Sequence, residues 1–250
     1  MVLTPNLIII FLLVLLVVLI FLVYGKKGYR PILSLLATVA ILTSIVIPLI
    51  IHGYDPVLVM GLAAIPITFL VIYLTEGLSM LSFVSIVLTL MNFFIISMLT
   101  YISIYISNLT GFDDEISSSI SGTFNTNMPR LFIAIVMLGT LGVLIEMVVT
   151  QVGTVVELIK ASPNADRKEI YRQSYKIGTI HLGSIINTLF LIYAGALFSV
   201  IVYFEGVPPL MSMFQIEPVS AEIIKILIGT IGLIVAMPTS TFFAVKWLKK

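Results

Sequence analysis

The sequence predicts an all-α protein: a bundle of about seven membrane-spanning helices, with its N-terminus outside and its C-terminus inside. Three observations lead to this prediction. Of the 250 residues, 60% are hydrophobic and only 10% are charged, whereas about a quarter of the residues in a soluble domain are charged. Seven apolar stretches approach or exceed the length that crosses a bilayer. Lysine and arginine are also distributed unequally among the connections.

The predicted spans are continuous apolar runs without strict alternation, which favours helices over a barrel. They cover about residues 6–24, 31–51, 56–74, 78–105, 131–156, 178–204 and 223–245. We expect all of them to belong to one transmembrane domain, residues 1–250. The first span is almost purely aliphatic, so we expect it to face lipid.

The orientation follows from the basic residues. If the turn at residues 26–30 is cytoplasmic, the predicted interior segments hold 11 of the 13 lysines and arginines. Residues 1–6 carry no charged side chain, which argues against a cleaved signal peptide. The lipid bilayer is therefore an expected partner, and the chain has no basic patch suited to nucleic acid.

Three connections are long. In residues 108–130, the segment DDEISSSI predicts a short helix with acidic residues in its first turn. In residues 161–176 we expect a short basic helix on the inner leaflet, capped by Ser162 or Asn164. Residues 205–222 contain Pro208-Pro209 and several large apolar residues, which predicts an interfacial segment.

Glu146 is an ionisable residue in the middle of the fifth span, where a charge costs several kcal/mol. At about 100° per residue, it shares a stripe with Thr150, Gly139, Gly142 and Gly153. Glycines allow another helix to approach closely, so we expect Glu146 to face protein or a cavity. Two interpretations stay open: a protonated carboxyl group bonded between helices, or a cation or proton site.

Polar residues also follow the fourth and sixth spans, and we treat them as candidates for a substrate or ion path. On the sixth span these are His181, Ser184, Asn187 and Thr188. On the fourth span they are Ser82, Ser85, Thr89, Asn92, Thr100 and Ser103. Hydrogen bonding between helices is the alternative explanation for both groups, and we prefer it for Ser184 and Thr188. With Glu146 and Thr150, they predict polar faces that converge between the fourth, fifth and sixth spans.

Glycine and proline mark candidate packing or hinge positions. These are Gly139, Gly142, Gly183, Gly229, Gly232 and Pro238, and Pro48 and Pro66 interrupt two earlier spans.

Several chemistries have no sequence signature here. The chain has no cysteine, only two histidines, no phosphate-binding glycine loop and no hydrolase motif. We therefore expect no enzymatic activity, no metal site and no cofactor.

Four segments resemble the YibE/F family of bacterial multi-span membrane proteins. They are GTLGVLIEMVVTQVGTVVEL, ASPNADRKEIYRQSYKIG, GSIINTLFLIYAG and GTIGLIVAMPTS, and the Gly53-Tyr54-Asp55-Pro56 turn also fits. The resemblance runs from about Lys27 to Lys246 and implies a permease or exporter in the bacterial cytoplasmic membrane. It also implies a partner, because family members often occur as a pair in which the longer, YibE-like chain has an additional N-terminal domain. This chain looks like the shorter, YibF-like member, and a homo-oligomer is the other expected assembly.

The sequence departs from the family pattern in three places. The family usually has aspartate where Glu146 stands, which retains the carboxylate. It usually has an arginine-aspartate pair where Thr179 and Ile180 stand, and a basic residue just after the turn near Gly77.

Three functional hypotheses follow. The first is a permease or exporter subunit without its own ATPase. The second is a non-transporting scaffold or accessory subunit for another membrane protein. The third is a signalling or immunity accessory that acts through the external acidic connection.

Overall fold

The structure, a computed structural model, describes residues 5–112, 114–124, 126–203 and 215–249. These residues are almost entirely helical and contain no strand. The helices are α1 (Pro5–Tyr24), α2 (Tyr29–Ile41), α3 (Ile47–Ile51), α4 (Pro56–Glu76), α5 (Met80–Ser107), α6 (Asp114–Phe124), α7 (Met128–Ala161), α8 (Arg167–Tyr203) and α9 (Glu217–Leu248). The prediction of an all-α fold is confirmed.

Within the described residues, 6 helical stretches are long and apolar enough to cross a membrane. The first of them, Pro5–Ile51, is 47 residues long and contains both the first and the second predicted span. Gly25 divides it: its φ of 57° lies in the left-handed region that glycine adopts without strain, and it ends α1. A short 3-10 turn, Gly25–Gly28, then leads into α2.

The turn folds the chain back on itself. A Cβ added at Gly28 would lie 3.1 Å from the carbonyl oxygen of Ile20, so glycine allows the two backbone segments to touch. Beyond this turn α1 makes few contacts, and none of its residues is buried. The position of α1 agrees with the expected lipid-facing helix.

Helix α7 lies at the centre of the bundle, where α4, α5, α8 and α9 all pack against it. Large apolar side chains such as Phe132, Leu144 and Met147 fill the interfaces and are almost fully buried. The most extensive contacts join α5 to α7, α7 to α9 and α8 to α9.

Side-chain caps fix three helix starts. Asp55 accepts hydrogen bonds from the backbone of Val57 and Leu58 at the start of α4, at 2.9 and 3.2 Å. Ser79 caps α5, and Asn127 caps α7.

Asp55 also forms an ion pair with Arg130 in the first turn of α7. The hydrogen bond and the negative charge of Asp55 raise the pKa of Arg130.

The connection before α8 differs from the prediction. No separate helix forms, because α8 begins at Arg167 and runs without interruption to Tyr203. The cap is Asp166, which accepts a hydrogen bond from the Glu169 backbone at 2.7 Å, so the proposed caps Ser162 and Asn164 were wrong. Hydrogen bonds from Gln173 and Arg172 lower the pKa of Glu169.

The other two long connections have different outcomes. Helix α6 confirms the short helix expected from DDEISSSI. Most of the predicted interfacial segment at residues 205–222 lies outside the described residues, and α9 begins within it at Glu217.

Candidate functional site

Glu146 lies in a cleft of about 410 Å³ at one end of the bundle. Three elements form the cleft: the turn between α1 and α2, the last turns of α4, and the middle of α7. Its lining residues are Tyr24, Lys27, Arg30, Pro31, Val71, Thr75, Glu76, Ile145, Glu146, Val149 and Thr150. Glu146 is exposed there and does not lie in the packed interior of the bundle.

The cleft contains two basic and two acidic side chains. Lys27 comes from the turn, Arg30 from the first turn of α2, Glu76 from the end of α4, and Glu146 from α7. In the part of the chain that the structure describes, no ion pair within 4 Å joins any of these four. They therefore form an open site of mixed charge that has no internal salt bridge.

Arg30 lies next to the C-terminal end of α4. Gly77 ends α4 with a φ of 77°, and a Cβ placed there would lie 3.7 Å from a terminal guanidinium nitrogen of Arg30. Arg30 thus brings a positive charge to this end of α4 from a different helix.

The residues of the stripe predicted on α7 have different surroundings. Thr150 lines the cleft with Glu146. A Cβ at Gly139 would lie 3.1 Å from the hydroxyl oxygen of Tyr193 on α8, whereas one at Gly142 would meet open space. Gly153 lies near Leu81 of α5.

The polar stripe on α5 faces the interior of the bundle, where Ser85, Thr89, Asn92 and Thr100 are each 0% exposed. The Asn92 amide donates to the Leu88 carbonyl at 2.8 Å, and its oxygen accepts a hydrogen bond from Thr239 of α9 at 2.8 Å. Among the described residues, the hydroxyl groups of Ser85 and Thr89 have no hydrogen-bond partner. The stripe is thus enclosed by packed helices.

Most of the candidate polar residues of α8 face away from the bundle, unlike those of α5. Ser184, Asn187 and Thr188 are exposed, on the opposite side of the helix from the buried residues Ile185 and Leu189. Thr188 donates a hydrogen bond to the Ser184 carbonyl of its own helix at 3.0 Å. His181 is half-buried, and its Nε2 atom has no hydrogen-bond partner in the part of the chain that the structure describes.

The predicted convergence of these polar faces is therefore wrong. Asn92 and Thr89 lie inside the bundle, Glu146 and Thr150 line the cleft, and Asn187 faces outward. Helical phase placed each polar group on one side of its own helix. It did not specify which neighbour, if any, would lie against that side.

Sequence reasoning missed a buried amide at the junction of α7, α8 and α9. Gln151 is 1% exposed. Its Nε2 atom lies 2.8 Å from the Ser174 hydroxyl, 3.0 Å from the Ser174 carbonyl and 2.7 Å from the Thr241 hydroxyl. A Cβ at Gly178 would lie 2.4 Å from Gln151 Oε1. A carboxamide inside a membrane span requires partners, and that signal was available in the sequence.

Two of the candidate packing glycines lie at close helix contacts on α9. A Cβ at Gly229 would lie 3.0 Å from Leu189 of α8, and one at Gly232 would lie 3.3 Å from Ile96 of α5. Gly183 faces open space. Helix α9 continues through Pro238, so the structure shows no break at that candidate hinge.

The described residues contain no group of three or more histidine, aspartate or glutamate side chains that could hold a metal ion. The chemistry that the cleft offers is charge and hydrogen bonding: two cationic groups, two carboxylates and the hydroxyl groups of Thr75 and Thr150.

The comparison with known families identifies this bundle. The sequence profile of the family described as YibE/F-like protein matches residues 12–250. The chain belongs to the YibE/F-like family. All the residues that line the Glu146 cleft fall within the matched part. No curated protein matches the chain, and no solved structure matches it. The protein is thus a YibE/F-like multi-pass membrane protein.

Proposed function

We propose that this YibE/F-like chain is the membrane subunit of a permease or exporter in the bacterial cytoplasmic membrane, and that the Glu146 cleft is part of its substrate path. The observation that carries the proposal is the placement of a carboxyl group from the middle of α7 in a polar cleft that also contains Lys27, Arg30 and Glu76. In this proposal the chain has neither an ATPase nor another enzymatic activity.

The energetic argument concerns Glu146. A carboxylate at the centre of a spanning helix costs about 2.5–3.5 kcal/mol on insertion scales, which is an upper bound for Glu146 because its cleft lies at one end of the bundle. A water-filled cleft reduces that cost, because the group is then solvated although the helix spans the membrane. Ionisable groups retained at such positions commonly belong to ion or substrate pathways.

The composition of the cleft fits a small ionic solute. Lys27 and Arg30 supply positive charge at the turn, while Glu146 and Glu76 supply negative charge on the opposite helices. Apolar side chains such as Val149 and Ile145 form the rest of the wall. With the orientation predicted from the basic residues, this cleft opens toward the cytoplasm.

A labelling experiment tests the cleft without knowledge of the substrate. The chain has no cysteine, so single cysteines can be introduced at Glu146 and at the next residue, Met147, which is 0% exposed. In membrane vesicles, Glu146→Cys should react with a membrane-impermeant maleimide, and Met147→Cys should not. If the cysteine at position 146 stays unlabelled from both sides of the membrane, the proposed path is wrong.

Flux measurements test the role of the carboxyl group. Purified protein is reconstituted into liposomes containing the pH indicator pyranine, and a panel of inorganic ions is applied. Relative to the wild-type flux, Glu146→Gln should lower the rate by about tenfold or more, because a neutral amide changes the charge at the site. The matched control is Glu157→Gln, an exposed residue of α7 paired with Lys160. Equal rates for wild type and Glu146→Gln would remove Glu146 from the mechanism.

The alternative function, a non-transporting scaffold, is favoured by a different observation. The α5 stripe is enclosed by packed helices, and Asn92 is already bonded to Thr239 of α9. Such contacts stabilise the bundle, so the polar residues of α5 can be explained without a transported solute. A scaffold predicts that neither the wild type nor Glu146→Gln gives flux above that of empty liposomes, and that both recover a bound partner equally well.

A further inference from the structure

We propose that the outer face of α8, formed by Ile180, Ser184, Asn187 and Leu191, binds the same face of a second copy of this chain. The proposal is independent of transport. It rests on an asymmetry of the fold: on this face, polar side chains in the apolar part of a helix point away from the bundle.

The face is well defined by its neighbours. Helices α7 and α9 pack on the other side of α8, where Leu189 contacts Gly229 and Tyr193 contacts Gly139. On the outer side, Ile180 is 73% exposed and Leu191 is 70% exposed. Asn187 lies between them, and its amide has no hydrogen-bond partner among the described residues.

Asn187 is deep in the apolar section. It lies eleven residues beyond Lys176, the last charged residue of α8 before the apolar run. At about 1.5 Å per residue, this is about 16 Å along the helix, or roughly half of the hydrocarbon thickness. Lipid chains at that depth offer no hydrogen bond, so an uncovered carboxamide there is unfavourable.

The described part of the chain has no hydrogen-bonding side chain that reaches this amide. Helix α1 also has free surface, since none of its residues is buried, but its hydrogen-bonding side chains, Asn6 and Tyr24, stand near its two ends. Neither reaches the middle of the membrane. Since the described residues supply no partner, we infer that the amide bonds to another molecule.

A second copy supplies the matching group. A carboxamide both donates and accepts hydrogen bonds, so two Asn187 side chains can bond to each other reciprocally. Two copies in the same membrane orientation, related by a twofold axis along the membrane normal, bring Asn187 to Asn187 at equal depth. The small residues Gly183 and Ser184 stand one turn away and allow the helices to approach closely.

Cysteine crosslinking in the cysteine-free chain tests the interface. Two copies with different tags are co-expressed, and membranes are oxidised with copper phenanthroline. Ser184→Cys and Leu191→Cys lie on the proposed face, Ile185→Cys on the buried face of α8, and Leu13→Cys on the exposed surface of α1. A covalent dimer that carries both tags should form from at least one of the first two variants and from neither control.

The role of Asn187 is tested in the crosslinking background. Asn187→Leu should lower the dimer yield by about three- to thirtyfold, the range expected for losing an amide contact between membrane helices. Asn187→Gln retains a carboxamide and should keep most of the yield, which separates loss of the contact from misfolding.

Four results would each overturn the proposal. They are no dimer from either Ser184→Cys or Leu191→Cys, an equal yield from Leu13→Cys, an adduct to a different protein, and an unchanged yield with Asn187→Leu.

Discussion

Helices α5 and α8 both carry polar side chains through an apolar span, yet the structure uses them in opposite ways. On α5, Asn92 is 0% exposed and bonded to Thr239. On α8, Asn187 is exposed and has no partner within the described residues. A polar residue in a membrane helix indicates that a partner exists, but it does not indicate whether the partner belongs to the same chain.

The difference lies in what surrounds each helix. Helix α5 lies between α4, α7 and α9, so its polar side has a helix against it. Helix α8 packs mainly on α9 and α7, which leaves one side free. Substitutions on the two helices test this difference, because their expected effects on the stability of the isolated chain differ in size.

The largest effect is expected at Gln151, which connects α8 and α9 to α7. Gln151→Ala removes its hydrogen bonds to Ser174 and Thr241 and leaves a cavity, so the free energy of unfolding should fall by about 2 kcal/mol or more. Thermal unfolding of the detergent-solubilised protein measures this. The control is Thr154→Ala, since the Thr154 hydroxyl donates only to the Thr150 carbonyl within α7.

A double substitution checks the geometry behind that expectation. Gly178→Ala places a Cβ 2.4 Å from Gln151 Oε1 and should be destabilising on its own. In the Gln151→Ala background the same change should be tolerated. If Gly178→Ala is equally harmful in both backgrounds, the close contact between α7 and α8 is not the cause.

A smaller effect is expected at Asn92. Asn92→Leu removes the contact between α5 and α9 but leaves Thr239 bonded to the Val235 carbonyl, so the loss should be about 1 kcal/mol. The same unfolding measurement applies. A loss near zero would mean that the buried amide of α5 contributes nothing to the bundle, and the contrast with α8 would disappear.

The smallest effect is expected for the matched change on α8. Asn187→Leu replaces an exposed amide, so the unfolding free energy of the monomeric fraction in detergent should change by less than about 0.5 kcal/mol. Asn92→Leu is the natural control, because the substitution is identical. A loss at Asn187 as large as that at Asn92 would show that this amide does have a partner within its own chain.

Much of the fold could be predicted because lipid imposes simple constraints. Within the described residues, the predicted spans are helical apart from a few residues at their ends, since apolar runs of this length can satisfy their backbone groups only as helices. The second span consists of α2, a π-helical segment at Leu42–Val46 and α3. The inward direction of the α5 stripe could also be predicted from helical periodicity. The N-out, C-in orientation remains a prediction from the basic residues.

The candidate site was harder to predict, and the reasons are specific. Glu146 was recognisable as a costly carboxyl group, but its neighbours Lys27 and Glu76 come from distant parts of the sequence. The partner of Gln151, Ser174, stood in a segment interpreted as a separate surface helix, whereas α8 carries it into the bundle. Periodicity describes one helix at a time, and these contacts depend on how several helices pack.

The turn at Gly25 and Gly28 makes α1 largely independent of the packed core, which affects how far the sequence of α1 can change. Helix α1 has no buried residue and joins the bundle through this one turn. The core of α4, α5, α7 and α9 gains almost no packing from it. The part of the first helix that precedes Tyr24 can therefore be lengthened, exchanged or fused to another sequence with little effect on the packed core, whereas Tyr24 and the turn line the Glu146 cleft.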